Sequence, residues 1–239
     1  MLVEATNVSK NYRSANGRSS VEVLHDVSLA VRAGEFVSIV GPSGSGKSTL
    51  LYCLAGLEPV SRGSVRLTGN DLATLNRAGI ARLRRSSVGF VFQAYNLLPS
   101  LTVRENVEIQ ARLAGRRVQR KEVDTSLRSV GLEHLGDARP GSLSGGQQQR
   151  TAIARALVAQ PYVLFADEPT GALDAVAGGE VIRLLRKTVT SDRAVVMVTH
   201  DAEAASKTDR VLVMRDGRIH RELLKPTAQG VFEAVEAAA

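Results

Sequence analysis

Gly41-Pro42-Ser43-Gly44-Ser45-Gly46-Lys47-Ser48, followed by Thr49, has the spacing G-x-x-x-x-G-K-[ST]. Before it, Glu35-Phe-Val-Ser-Ile-Val40 predicts a short buried strand; after it, Thr49-Leu-Leu-Tyr-Cys-Leu-Ala-Gly56 predicts the apolar first turns of a helix. A strand feeding a glycine-rich turn that opens a helix is the setting this pattern needs. Gly41, Gly44 and Gly46 let the backbone turn where other residues cannot and approach an anion closely. Successive N–H groups then form an anion nest, to which the helix N-terminus adds its positive end. Lys47 is placed to reach β- and γ-phosphates as a point charge, and the Ser48 hydroxyl to ligate Mg²⁺. A chance match in a chain of this length has a probability of roughly 1%, and the strand–turn–helix setting lowers it further. The stretch reads as a nucleoside triphosphate site.

Two further stretches carry chemistry. Val163-Leu-Phe-Ala-Asp-Glu168 is an apolar strand ending in two carboxylates, which places them at the usual ligand edge of a doubly wound sheet. Asp167 suits support of Mg²⁺ beside Ser48. Glu168 suits a general base or water-polarising group, a role worth about 10²–10⁴ in rate. A solvent-facing strand end closed by Pro169 is the plain alternative, and the phosphate loop in the same chain argues against it. Leu143-Ser-Gly-Gly-Gln147 opens a second helix with Ser144 at its N-cap. Its glycines leave free N–H groups unobstructed, so beyond a plain cap it offers a second anion site. Both helix ends can hold one γ-phosphate if two copies of the chain meet head to tail.

Composition sets the bounds. The chain has 239 residues, 44% of them hydrophobic, which suits one large α/β domain with an inserted subdomain or two small domains. Apolar runs such as Ala194–Val198 are far too short to cross a bilayer. The start, Met1-Leu-Val-Glu-Ala-Thr-Asn7, has no signal-peptide layout, so a cytoplasmic location is expected. Cys53, the single cysteine, sits among leucines and reads as a core filler. The net charge of +7 clusters at Arg77, Arg82, Arg84 and Arg85, and at Arg112, Arg116, Arg117, Arg120 and Lys121. These read as solvated helix faces, or more sharply as a surface toward anionic lipid headgroups. Aromatic residues make up 4% of the chain, too few to stack bases on, so no nucleic-acid partner is expected.

Periodicity gives the order of elements. Leu2–Tyr12 and Val21–Val31 alternate as antiparallel strands about a polar turn at Ser14–Ser20, and Gly63–Gly69 adds a third strand. Residues 71–85 are expected to be helical and Val88–Phe92 a strand ending at Gln93. Residues 102–130 form two amphipathic helical stretches parted by Gly115-Arg-Arg117. Tyr162–Ala166 and Ala194–Thr199 read as buried parallel strands joined by a helix over 176–188. Arg210–Ile219 reads as a hairpin about Asp216-Gly217, and the last residues as a fraying helix.

The phosphate loop, Gln93, Leu143-Ser-Gly-Gly-Gln147, Asp167-Glu168, Ala172-Leu-Asp174 and His200 occur in the order and spacing of an ATP-binding cassette (ABC) ATPase, which residues 1 to about 220 resemble. The resemblance implies an α/β fold: a P-loop NTPase (RecA-like) parallel-sheet core with an N-terminal antiparallel β subdomain and an inserted α-helical subdomain. Residues 1–40 and 60–70 would form the β subdomain, 41–59, 71–92 and 158–220 the ATP-binding core, 93–157 the helical subdomain, and 221–239 a tail. It implies ATP and Mg²⁺ as cofactors. Tyr12 matches the aromatic that stacks on adenine, its plain alternative being a strand-core tyrosine. Residues Gly41 to Thr49 match the phosphate binder, and Lys47 counts among the catalytic residues. Ser48, Gln93 and Asp167 match the Mg²⁺ set, with Gln93 also touching the attacking water. Ser144, Gly145, Gly146 and Gln147 would contact the γ-phosphate bound by the partner subunit. Asp174 would cross that interface, and His200 would hold the γ-phosphate and Glu168 in register. ATP sandwiched in a head-to-tail homodimer would act as glue, released by hydrolysis.

Phe92-Gln-Ala-Tyr-Asn-Leu-Leu-Pro-Ser-Leu-Thr-Val-Arg-Glu-Asn-Val107 resembles the macrolide-exporter and lipoprotein-releasing branch, which includes the cell-division ATPase paired with an FtsX-like permease. In that light Leu97, Leu98, Pro99 and Leu101 form a dock for a permease's cytoplasmic helix, or else a loop folded onto its own core. The permease, of FtsX/MacB type, is expected on a separate chain, holding this one at the cytoplasmic face of the membrane. The expected work is export or extraction of a peptide, lipid, lipoprotein or drug; mechanical gating of an envelope process and soluble nucleic-acid maintenance are the alternatives. Ala175-Val176 departs from the polar residue many relatives carry after the interface aspartate.

Overall fold

A computed structural model of the chain describes residues 1–13, 20–113 and 115–238. β1 (Val3–Arg13) and β2 (Ser20–Val31) run antiparallel, pairing Val3 with Val31. The turn expected at Ser14–Ser20 lies, up to Ser19, outside the described residues. β3 (Phe36–Val40) is buried along its whole length and leads through the glycine-rich loop into α1 (Lys47–Leu54). β4 (Arg62–Leu67) pairs with β1, and the two-residue β5 (Asn70–Asp71) with β4, completing a four-stranded antiparallel sheet in the order β2-β1-β4-β5.

The helix expected over 71–85 is broken in two. Asp71 caps a single 3₁₀ turn at Leu72–Thr74 by accepting from the Ala73 N–H, and Asn76 caps α2 (Arg77–Ser87) by accepting from the Gly79 N–H. Two cap-forming side chains five residues apart each start a helix. β6 (Val88–Phe92) follows, then α3 (Val103–Leu113), α4 (Arg120–Ser129) and α5 (Gly145–Val158), and then β7 (Val163–Asp167). The chain continues through α6 (Ala175–Thr188), β8 (Ala194–Val198), the short α7 (Ala202–Ala205), β9 (Arg210–Arg215), β10 (Arg218–Leu224) and α8 (Ala228–Glu236). β10 extends five residues past Ile219, where its exposed, charge-rich sequence gave no strand pattern.

The second sheet has the order β10-β9-β3-β8-β7-β6, parallel from β9 to β6 with β10 antiparallel at the edge. Its inner strands are apolar on both faces because both faces are covered. Val37, Ile39, Phe165, Val196 and Val198 pack with α1 and the antiparallel sheet. Their alternates Phe36, Leu164, Ala166, Val195 and Met197 pack with α3, α5 and α6. Each of these side chains larger than alanine contributes about 1.5–3 kcal/mol on burial. β3 lies between β8 and β9, so the glycine-rich loop leaves the sheet near its middle, and β7 and β8 end beside it. The fold is α/β, a mostly parallel core joined to an antiparallel sheet, as expected for a P-loop NTPase.

Candidate functional site

The loop after β3 is shaped by steric necessity. Gly41 has φ 148°, and a Cβ there would stand 2.2 Å from the Met214 carbonyl oxygen. Gly46 caps α1 in the left-handed region at φ 93°, with the Val23 carbonyl 2.9 Å from any added Cβ. A side chain at either position would collide with backbone of a neighbouring strand. Lys47 folds over the loop, its Nζ donating to the carbonyls of Gly41 at 3.0 Å and Pro42 at 2.8 Å. Burial holds its pKa below the ordinary lysine value, against the opposing pull of Glu168 and then Asp167. The Ser45 hydroxyl is buried without a hydrogen-bond partner, as suits a group aimed at an anion.

Asp167, at the end of β7, is 9% exposed and has both oxygens engaged. Ser48 Oγ donates to Oδ1 at 2.9 Å, and Tyr52 OH donates to Oδ2 at 2.6 Å. The Tyr52 phenol is pushed up to about 12 by burial first, then by the hydrogen bond to Asp167 and that residue's charge. The hard oxygens of Ser48 and Asp167 fit Mg²⁺, which takes one or two protein oxygens and fills its octahedron with water and phosphate. Among the described residues no group of three or more His, Cys, Asp or Glu is arranged as a metal cage, so a softer or fully protein-caged ion does not suit this donor set.

Glu168 sits at φ 47°, an uncommon conformation for a residue with a side chain. Its N–H donates to the Val198 carbonyl at 3.0 Å, and its carbonyl accepts from Gly171 N–H at 3.1 Å. This twist, where β7 meets β8, sends the carboxylate to His200: Oε2 lies 2.9 Å from Nδ1. Gln93 is exposed at the end of β6, and a Cβ on Gly171 would come within 2.8 Å of its Nε2. Asp167, Glu168, Gln93 and His200, from the ends of three adjacent strands, thus gather on the loop edge of the sheet.

The second predicted site stands apart from the first. Ser144 and Gln147 form a reciprocal capping box at the start of α5. A Cβ on Gly145 would meet Tyr95 OH at 2.9 Å, and one on Gly146 would meet Ala177 Cβ at 3.2 Å. Ser144–Gln147 therefore neighbours the segment after Gln93 and the start of α6, whereas the glycine-rich loop neighbours Val23, Asp167 and Met214. Asp174 caps α6, accepting from the Ala177 N–H at 2.9 Å. Tyr12 is 40% exposed, with Lys10 Nζ 4.8 Å from its ring centroid.

Four contributors escaped the sequence reading. Tyr52 was read as one of several apolar helix residues. Gln149, fully buried, donates to the Pro169 carbonyl at 2.7 Å and so ties α5 to the segment after Glu168. Arg155 donates to the carbonyls of Tyr95 and Asn96, two consecutive residues in left-handed conformations. Asn106, fully buried, donates to the carbonyls of Leu98, Leu101 and Thr102 and accepts from the Leu98 N–H at 2.7 Å. Their common signal is a polar residue on an otherwise apolar helix face. The loop that Asn106 clamps leaves Leu98 and Pro99 exposed, with Leu97 and Leu101 half-buried.

A family profile described as "ABC transporter" matches residues 24–171. The macrolide export ATP-binding/permease protein MacB of Nitrosomonas europaea is 47% identical over 222 residues, 91% of this chain and 33% of that protein. The pyoverdine export ATP-binding/permease protein PvdT of Pseudomonas aeruginosa is 47% identical over 223 residues, again 91% and 33%. This chain spans about a third of the length of these curated relatives. A solved dimeric structure of the ATP-binding cassette MJ0796, in a post-hydrolysis state bound to ADP and Pi, aligns with a TM-score of 0.85 at 39% identity, covering 94% of this chain and 99% of that one.

Proposed function

This chain belongs to the ABC transporter family as an ATP-hydrolysing cassette, and from that premise we propose that it works as a head-to-tail homodimer closed by ATP and coupled to an export permease. The observation that carries the reading is the pairing of Ser48 with Asp167 and of Glu168 with His200 on the edge of the sheet where the Lys47 loop emerges. Phosphate binder, cation ligands and a base for water then occupy one edge.

In the proposed mechanism the N–H groups of residues 44–49 and Lys47 Nζ hold the β- and γ-phosphates, with Lys47 exchanging its two carbonyl partners for phosphate oxygens. Tyr12 receives the adenine on its exposed ring. Ser48 and Asp167, with Gln93, would hold Mg²⁺, which would offset the charge on the phosphate oxygens. Glu168 orients the attacking water and polarises it for in-line displacement at the γ-phosphate. His200 fixes the Glu168 carboxylate. Positioning and electrostatics supply most of the rate. Ser144, Gly145 and Gly146 of a second copy close over the γ-phosphate, so Asp174 and the 74%-exposed Val176 become interface residues.

The relatives named for export carry ATP-binding and permease functions together. We place the permease of this system on a separate chain, with the exposed Leu98 and Pro99 as part of its dock. That arrangement puts the cassette at the cytoplasmic face of the membrane, driving export or extraction of a peptide, lipid, lipoprotein or drug. The test is a pull-down from detergent-solubilised membranes with tagged Glu168→Gln protein and Mg²⁺-ATP. An integral membrane chain in about equal amount is expected; nucleic acid or soluble protein alone would overturn the proposal.

A further inference from the structure

We propose that Tyr52 is a positioning residue for the cation, fixing the angle at which Asp167 presents its carboxylate; the inference rests on the cassette reading above. Ser48 and Tyr52 lie one turn apart on α1, so their hydroxyls project to the same side. They divide the Asp167 carboxylate between them, Ser48 at Oδ1 and Tyr52 at Oδ2. The Tyr52 ring is itself held, tilted against Phe90 with centroids 5.8 Å apart. Phe90 in turn stacks on Phe92 at 4.3 Å and on Phe165 at 6.2 Å.

The two hydroxyls differ in duty. Ser48 would also serve as a cation ligand, its oxygen lone pair meeting the ion while its O–H can still donate to Oδ1. Tyr52 has no such duty, and its bond to Oδ2 would keep the carboxylate plane in place for a cation held by Asp167 and Ser48. Partners of this kind, one step removed from a metal, orient its ligands and tune affinity. Orientation matters most for Mg²⁺, which demands near-ideal octahedral geometry, and least for Ca²⁺, whose coordination is adaptable. Tyr52 therefore contributes to cation selectivity as well as affinity.

The experiment measures the affinity of a fluorescent ATP analogue in EDTA, in Mg²⁺ and in Ca²⁺ for the wild type, Tyr52→Phe and Asp167→Asn. Tyr52→Phe keeps the ring against Phe90 and deletes only the hydroxyl. Its affinity in EDTA is expected to match the wild type, and its gain in affinity from Mg²⁺ to shrink by about 3- to 10-fold, the range for the net worth of one ordinary hydrogen bond. Its gain from Ca²⁺ is expected to change by less than about 2-fold. An unchanged Mg²⁺ gain overturns the inference, and so does an equal loss in all three conditions, which marks a merely structural role. Asp167→Asn separates the levels. Loss of the Mg²⁺ gain there but not in Tyr52→Phe removes only the tyrosine's role; no loss in Asp167→Asn removes the cation reading of Asp167 and the tyrosine inference with it.

Discussion

Glu168 Oε2 lies 2.9 Å from His200 Nδ1, and Glu168 reaches that position only through a left-handed backbone at φ 47°. Such a conformation costs on the order of 1 kcal/mol for a residue with a side chain, and the hydrogen bonds to Val198 and Gly171 maintain it. Under the proposed mechanism Glu168→Gln keeps the shape and the contact but cannot take a proton. Nucleotide binding should be retained while steady-state phosphate release falls about 10²–10⁴-fold. Near-normal turnover in this variant would remove Glu168 from the chemistry.

Lys47 is held by two backbone carbonyls and desolvated. Under the proposed mechanism its replacement by alanine removes charge-assisted hydrogen bonds to phosphate. Affinity for a fluorescent ATP analogue should drop by roughly 100-fold, with the circular dichroism spectrum unchanged. Wild-type affinity in Lys47→Ala would mean that the loop's N–H groups carry binding without the lysine.

Asp209 links α6 to the start of β3, accepting from Arg186 Nη1 at 2.7 Å and from the Phe36 N–H at 2.8 Å. Arg186, then the Phe36 N–H, holds its carboxyl below the usual aspartate range. A carboxyl depressed in the folded state adds stability above its unfolded pKa, about 3.9, and loses it as pH falls through the folded value. The carboxylate is partly exposed, so Asp209→Asn should cost about 1 kcal/mol at pH 7. In urea unfolding the gap between variant and wild type should close as pH falls below about 4. A gap that widens toward acid would contradict the assignment.

Cys53 is fully buried in the cluster formed by α1 and the antiparallel sheet, and burial pushes its thiol up to about 11. With little thiolate at neutral pH and the side chain fully buried, native protein should resist alkylation at pH 8 and react with one equivalent in denaturant. Rapid native labelling would show that α1 opens.

Most strands and the order of site elements were legible because their signals are local; β5 and the far half of β10 were not. Val163–Ala166 and Ala194–Val198 are continuous apolar runs covered on both faces, and the glycine-rich loop announces its turn through residues that alone fit it. What escaped was contact across the fold. Nothing in Thr49–Gly56 says that Tyr52 points at Asp167, 115 residues away, or that Asn106 closes three carbonyls of the preceding loop. α7, with four residues, is too short for periodicity to register. The split at Leu72–Arg77 was missed because a helical apolar pattern outweighed two cap residues whose side-chain bonds are strictly local.

The separation of Ser144–Gln147 from the Lys47 loop yields a prediction that only a composite site satisfies. The N–H groups of Gly145 and Gly146 open α5 with no carbonyl one turn back to accept from them, so an anion supplied by another subunit suits them. Gly146→Asp sets a negative side chain there, with Ala177 Cβ 3.2 Å from its Cβ and needing to yield by a few tenths of an ångström. The variant should bind ATP through its own loop yet neither dimerise with ATP nor turn over. Lys47→Ala should be inactive for the opposite reason. Mixed together, the two chains form dimers in which the Gly146→Asp chain supplies an intact loop and the Lys47→Ala chain an intact α5 terminus. With freely exchanging subunits and independent sites, phosphate release should return to about a quarter of the wild-type rate. If each chain completed its own site, mixing two inactive proteins would restore nothing, and the head-to-tail arrangement would fall.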